Sequence, residues 1–298
     1  MECQNQNDTH PHKQVELHVD INWFCHLLKH ANARCIDSPK GSVMSELTYT
    51  IIVSTKYGMM MLNRHDINQT GRLVPTGVGF DDAQIEFAKA VCGAHPGALM
   101  LDIGANFGTY TLALSQHLVA SGGLVHAFEP QREIANMICG SLALNSISNA
   151  IVHTVCVGDS TDPVDLPRFD YHQPMNFGSI EFGAEQREVL TQTRLNSTEK
   201  VAQVRIDDFS FTNVKFIKID VEGMEEDVLT GAHNTFVVNR PIALVEIIKS
   251  NAASLYGLFS ELEYKIFSWG NDILCIPNED NQLKADETGF FYGGIRYS

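Results

Sequence analysis

The chain has 298 residues, 44% of them hydrophobic, and a formal net charge of −15. That length and apolar content suit one large α/β domain with an N-terminal extension, or two small domains, with a sizeable core. A field of that sign repels phosphate backbones, and Lys and Arg are scattered, so DNA, RNA and anionic membranes are poor partners.

Seven cysteines without C-x-x-C spacing fit reduced, mostly buried thiols better than a disulfide frame. The opening MECQNQNDTHPHK is polar and lacks the apolar core of a signal peptide. No run approaches the ~18 apolar residues of a membrane span. The expectation is a soluble, cytoplasmic protein.

Residues 1–14 read as a loose tail. Five histidines between His10 and His30 fit no standard zinc spacing. Residues 19–31 place Ile21, Phe24, Leu27, Leu28 and Ala31 on one helical face, a surface on which a second subunit could pack to form a homodimer. Residues 47–54 and 57–62 read as a hairpin, so 1–75 is expected to be an N-terminal extension and cap, with 76–298 as the main domain. A helix spans 82–93.

From residue 98 strands and helices alternate. Strands are expected at 98–103, 124–129, 151–157, 214–220 and 242–247. Helices are expected at 108–119, 131–145, 223–238 and 251–260, and two or three strands within 262–298. Such alternation implies a parallel sheet covered on both faces, with right-handed crossovers. The Pro-containing stretch 160–205 interrupts it as an irregular β insertion, the kind of segment that serves a ligand site.

The first strand runs into LMLDIGANFGTYTLALS (99–115), a strand, a tight glycine turn and a helix. A dinucleotide fold would read G-x-G-x-x-G. Here Asn106 replaces the middle glycine, and Asp102 is a poor neighbour for a diphosphate. It is a good neighbour for a cationic ligand without phosphate, such as S-adenosylmethionine (SAM). The turn Gly104-Ala105-Asn106 and Gly108-Thr109 would cradle it. Glu129, followed by Pro130 at the next strand end, would accept hydrogen bonds from both ribose hydroxyls, each worth roughly 1.5–3 kcal/mol. Gly158-Asp159, at the third strand end, would sit by the adenine.

Several blocks resemble the FkbM-type SAM-dependent methyltransferases: LDIGANFG (101–108), AFEP (127–130), NFGS (176–179), RIDDF (205–209), IKIDVEGMEEDVLTGA (217–232), RPIALVE (240–246) and the cap-like LNRHDINQTGRLVPTGVGFDDAQIE (62–86). The resemblance covers about residues 60–298 and is most specific over 217–232. It departs at Val78-Gly79-Phe80, where the family often has Gly-Glu-aromatic. It implies a Rossmann-like class I methyltransferase sheet, mostly parallel, seven-stranded with one antiparallel strand, plus an N-terminal cap and a β insertion. It also implies methyl transfer from SAM, usually to a hydroxyl of a small molecule or sugar. N-methylation and a non-catalytic SAM-fold binding protein are the alternatives.

A hydroxyl acceptor needs a base. Candidates lie at the ends of the fourth and fifth strands: Asp220, Glu222 and Glu246, with Lys218 on the same sheet face as Asp220. Asp220 is equally placed to touch the methionine end of SAM. The same carboxylates could hold a divalent cation, which nothing in the sequence requires. Phe80, His172, Asn176 and Ser179 are candidate acceptor contacts, and Phe177 a further pocket wall. Cys156 reads as core, and Glu225-Glu226-Asp227 as a solvated, dipole-favoured helix start.

Overall fold

The computed structural model describes residues 48–181, 190–192, 195, 197–286, 289–292 and 295–297. All of them belong to one compact unit, 47–298. The expected tail and the helix over 19–31 lie outside the described residues.

Strands β1 (Thr50–Thr55) and β2 (Gly58–Asn63) form the expected antiparallel hairpin, closed between Thr55 and Gly58. It docks on the main body: the Met61 amide donates to Ser141 Oγ, and Asn145 bonds both the amide and the carbonyl of Met59. Helix α1 (Gln69–Thr76) was not anticipated, because Gly71 and Pro75 both argue against a helix. The buried carboxylate of Asp66 compensates by accepting the Thr70 amide in the first turn. Helix α2 (Asp82–Gly93) falls where the sequence places it.

The alternating region follows as β3 (Leu99–Ile103), α3 (Thr109–Leu118), β4 (Leu124–Phe128), α4 (Arg132–Leu144) and β5 (Ala150–His153). The single strand expected over 151–157 is two. After β5 the chain changes partner, and β6 (Cys156–Val157) pairs with β9 (Gln203–Val204) beyond a ribbon of β7 (Val164–Pro167) and β8 (Thr198–Val201). Strand β10 (Val214–Ile219) leads into α5 (Glu225–Gly231) and α6 (His233–Asn239). The one helix expected over 223–238 breaks at Ala232, just after Gly231 packs its backbone on the Gly158 carbonyl. Then come β11 (Ile242–Glu246), α7 (Ala252–Glu261), β12 (Tyr264–Trp269) and β13 (Asp272–Pro277). Strands β14 (Leu283–Asp286), β15 (Gly289–Tyr292) and β16 (Ile295–Tyr297) form a separate antiparallel sheet, so the described residues of 262–298 hold five strands where two or three were expected.

The central sheet has seven strands in the order β5-β4-β3-β10-β11-β13-β12. All neighbours are parallel except those of β13, which runs against β11 and β12. Its faces are covered by separate cores. Leu99, Leu101 and Ile103 of β3 join one, and Met100 the other, as strand alternation requires. The chain builds outward from β3 in one direction and from β10 in the other. The crevice beyond the carboxyl ends of these two strands is therefore the topological switch point, where open α/β sheets bind ligands.

Candidate active site

At that crevice lies a cavity of about 600 Å³. Its floor is the turn after β3. Gly104 has φ +80°, and a β-carbon there would lie 1.7 Å from the Asp220 carbonyl oxygen, so only glycine fits. Gly108, at φ +82°, starts α3. Asn106 also takes the left-handed conformation, at φ 49°, and its buried Oδ1 has no hydrogen-bond partner among the described residues.

Glu129 closes one side. Its carboxylate accepts the Asn106 amide on Oε2 and the Gln131 amide on Oε1, both at 2.9 Å. Each oxygen keeps acceptor capacity, and the group is only 4% exposed on the cavity wall. Burial raises its pKa to about 7, against the pull of the two amides.

Lys218 sits in the middle. Its side chain is buried, and its ammonium donates to the Gly104 carbonyl at 2.6 Å and pairs with Asp220 at 3.0 Å. Burial pushes its pKa down, but the Asp220 and Asp102 carboxylates outweigh that and raise it. Asp102 is the cross-strand partner of Lys218. It is buried and accepts the Thr111 hydroxyl at 2.5 Å. Burial raises its pKa as well.

The opposite side is acidic. Asp220, Glu222 and Glu246 bring carboxylate oxygens within 4.8 Å of one another. Two of the three already hold an ammonium: Lys218 on Asp220, and Lys249 on Glu222 at 2.5 Å. Burial, then the Asp220 and Glu222 charges, push Glu246 up to about 9. Asp81 and Asp272 complete this wall with Gln84. Burial raises both, Asp272 to about 7.

Cap and insertion hold the roof. The Tyr57 hydroxyl donates to Asp82 and accepts the Gly79 amide, each at 3.0 Å, which fixes the segment carrying Phe80 and Asp81. Gln131 Nε2 donates to the Phe177 carbonyl at 2.8 Å, and the Asn176 and Ser179 side chains bond each other above the glycine turn.

Of the residues singled out in the sequence, Gly104, Asn106, Glu129, Pro130, Lys218, Asp220, Glu222, Glu246, Phe80, Asn176 and Ser179 line this one cavity. Ala105, Gly108 and Thr109 form the turn behind it, and Asp102 lies beneath. Gly158 serves packing, since a β-carbon there would meet Gln203 Nε2 at 1.8 Å, and Asp159 is exposed beside it. His172 is exposed outside the lining and meets the Tyr49 ring edge-on at 5.0 Å. Phe177 is fully buried behind the wall.

Glu225 corrects the reading of a solvated helix start. It is 1% exposed, accepts the amides of Val221 and Gly223, and bonds the Ser250 hydroxyl. Sequence reasoning missed Asp81, Gln84, Lys249 and Asp272. Asp272 had a signal: Gly270-Asn271 is a turn between apolar runs, so the strand after it runs backwards and begins at the ligand edge.

A seven-stranded, mostly parallel sheet with a glycine turn after β3 and an acid after β4 defines the Rossmann-like class I SAM-methyltransferase fold. The Methyltransferase FkbM domain matches residues 102–273, more than half of the chain, which therefore belongs to the FkbM methyltransferase family. Among solved structures, the methyltransferase FkbM from Methylobacillus flagellatus KT is 20% identical, with 60% of this chain and 44% of that one covered and a TM-score of 0.41. The precorrin-6y C5,15-methyltransferase from Geobacter metallireducens GS-15 is 10% identical, covering 67% and 88%, at 0.38. The Pyrococcus abyssi tRNA (uracil-54, C5)-methyltransferase in complex with S-adenosyl-L-homocysteine is 10% identical, covering 76% and 44%, at 0.37. The chain thus spans less than half the length of two of these three proteins. No curated protein matches it. No helix among the described residues is long and apolar enough to cross a membrane.

Proposed function

We propose that the protein transfers a methyl group from SAM to a hydroxyl of a small molecule. The observation that carries this reading is Glu129: a carboxylate fixed by two backbone amides, walled off from solvent, with acceptor capacity turned into the cavity. Ribose hydroxyls would donate to it, and Asn106 Oδ1 offers a further acceptor. When bound, SAM supplies a methyl already activated on a sulfonium.

Strand order sets the direction of the site. Glu129 follows β4 on one side of β3, whereas Asp220, Glu246 and Asp272 belong to strand ends on the other side. The ribose end therefore lies toward β4, and the acceptor toward β10, β11 and β13. Holding acceptor and methyl in line can supply roughly 7–11 kcal/mol of the barrier. Asp220 accepts the hydroxyl proton, and Lys218 orients it while anchoring the glycine turn. Glu246, which keeps its proton near neutral pH, donates a hydrogen bond that orients the acceptor. A divalent cation is not needed in this reading, because lysines already neutralise Asp220 and Glu222. The acidic chain makes a nucleic-acid acceptor unfavourable.

The test is release of S-adenosylhomocysteine (SAH) from SAM over a panel of hydroxylated small molecules. Asp220→Asn should lower kcat about 10²–10⁴-fold and leave SAH affinity intact. Full activity in that variant would remove Asp220 from the base role.

A further inference from the structure

The acceptor end of the cavity has two kinds of wall. Phe80 and Ile248 line it, yet are 56% and 58% exposed. Single exposed hydrophobic residues are ordinary, but these two frame the same opening. Phe80 is held in place: Tyr57 fixes the backbone on either side of it through the Gly79 amide and Asp82. Arg72, outside the lining, places its guanidinium 5.6 Å from the Phe80 ring centroid, engaged with the aromatic face. Deeper in, Asp81, Glu246 and Asp272 form no ion pair among the described residues; the Lys218 charge that acts on all three is held by Asp220 and the Gly104 carbonyl. An anionic group there would lose its hydration next to acids and would find Lys218 and Lys249 already paired with Asp220 and Glu222.

Resting on the methyltransferase reading above, we propose that the acceptor is an amphipathic molecule without negative charge. Its apolar ring or chain lies across Phe80 and Ile248, and its hydroxyl end lies among Asp81, Glu246 and Asp272. A free sugar would leave the apolar mouth uncovered. A sugar phosphate or a nucleotide sugar would bring an anion into the acidic end.

The test uses the full chain saturated with SAH and titrated with three probes: 4-phenylbutan-1-ol, its phosphate ester and glucose, followed by ligand-observed NMR. We expect 4-phenylbutan-1-ol to bind at least tenfold more tightly than the other two. Phe80→Ser and Ile248→Ser should each weaken it at least threefold, with SAH binding on the same samples reporting an intact fold. Glucose or the phosphate ester binding as well as the alcohol overturns the proposal, as does binding of none of the three or an alcohol affinity indifferent to both substitutions. Those outcomes leave the methyltransferase reading standing. Failure of the wild-type chain to bind SAH overturns that reading and the proposal with it.

Discussion

The carbonyl oxygen of Asp220 occupies the space that a side chain at Gly104 would need, 1.7 Å from the position of its β-carbon. The turn proposed to hold the cofactor and the strand end proposed to face the acceptor are thus in backbone contact. Gly104→Ala should force them apart. A left-handed L-residue already costs roughly 1–2 kcal/mol, and the clash adds to it. Thermal melts should show a loss beyond 2 kcal/mol, and SAH titration a loss of at least tenfold in affinity. A variant of unchanged stability and affinity would show that the turn relaxes freely.

Glu225 should prove structural. Its carboxylate satisfies the amides of Val221 and Gly223 in the turn that leads from Asp220 into α5. Glu225→Ala leaves those amides without their partner, at a cost of roughly 1.5–3 kcal/mol. Denaturant unfolding measures it. Stability unchanged within about 0.5 kcal/mol would mean that water replaces the carboxylate.

Much of this arrangement is legible in the sequence. The hairpin, helix α2 and the five parallel strands β3, β4, β5, β10 and β11 announce themselves by apolar runs and punctuation, and LDIGANFG and IKIDVEG mark the two strand ends that meet at the crevice. What stayed hidden depends on partners distant in sequence. Nothing local says that Glu225 turns inward while Glu222 pairs with Lys249, since both follow the same strand. Asp102 reads as a ligand contact; one of its oxygens accepts the Thr111 hydroxyl in the first turn of α3, and the other is buried without a hydrogen-bond partner among the described residues. Asp159, expected beside an adenine at the third strand end, is exposed after the switch of partner between β5 and β6.

Cofactor affinity should depend on pH through Glu129. Its folded pKa, about 7, lies above the ordinary value of 4.5. Ribose hydroxyls donate, so they favour the ionised form, and SAH should bind more tightly as pH rises from 6 to 8, by up to about tenfold. Folding shows the opposite sign. A carboxyl with a raised folded pKa binds more protons folded than unfolded, so its contribution to stability declines as pH climbs from about 4.5 through 7. Glu129→Gln should remove both dependences. Calorimetric titration with SAH and thermal melts, each across pH 5–8, measure them.

Lys218 should matter more for positioning than for charge alone. Lys218→Met removes the bond to the Gly104 carbonyl and leaves Asp220 without its cation. SAH affinity and kcat should both fall at least tenfold, whereas Lys218→Arg should recover little, because a planar fork cannot replace the compact ammonium between a carbonyl and a carboxylate. Full recovery by arginine would show that only the positive charge counts.

The most direct measurement is calorimetric titration of the wild-type chain and Glu129→Ala with SAM and SAH. The wild type should bind both, and the variant should remain folded and bind each at least tenfold more weakly. A folded wild-type protein that binds neither, or a variant that binds both as well as the wild type, would contradict the assignment of this cavity to SAM.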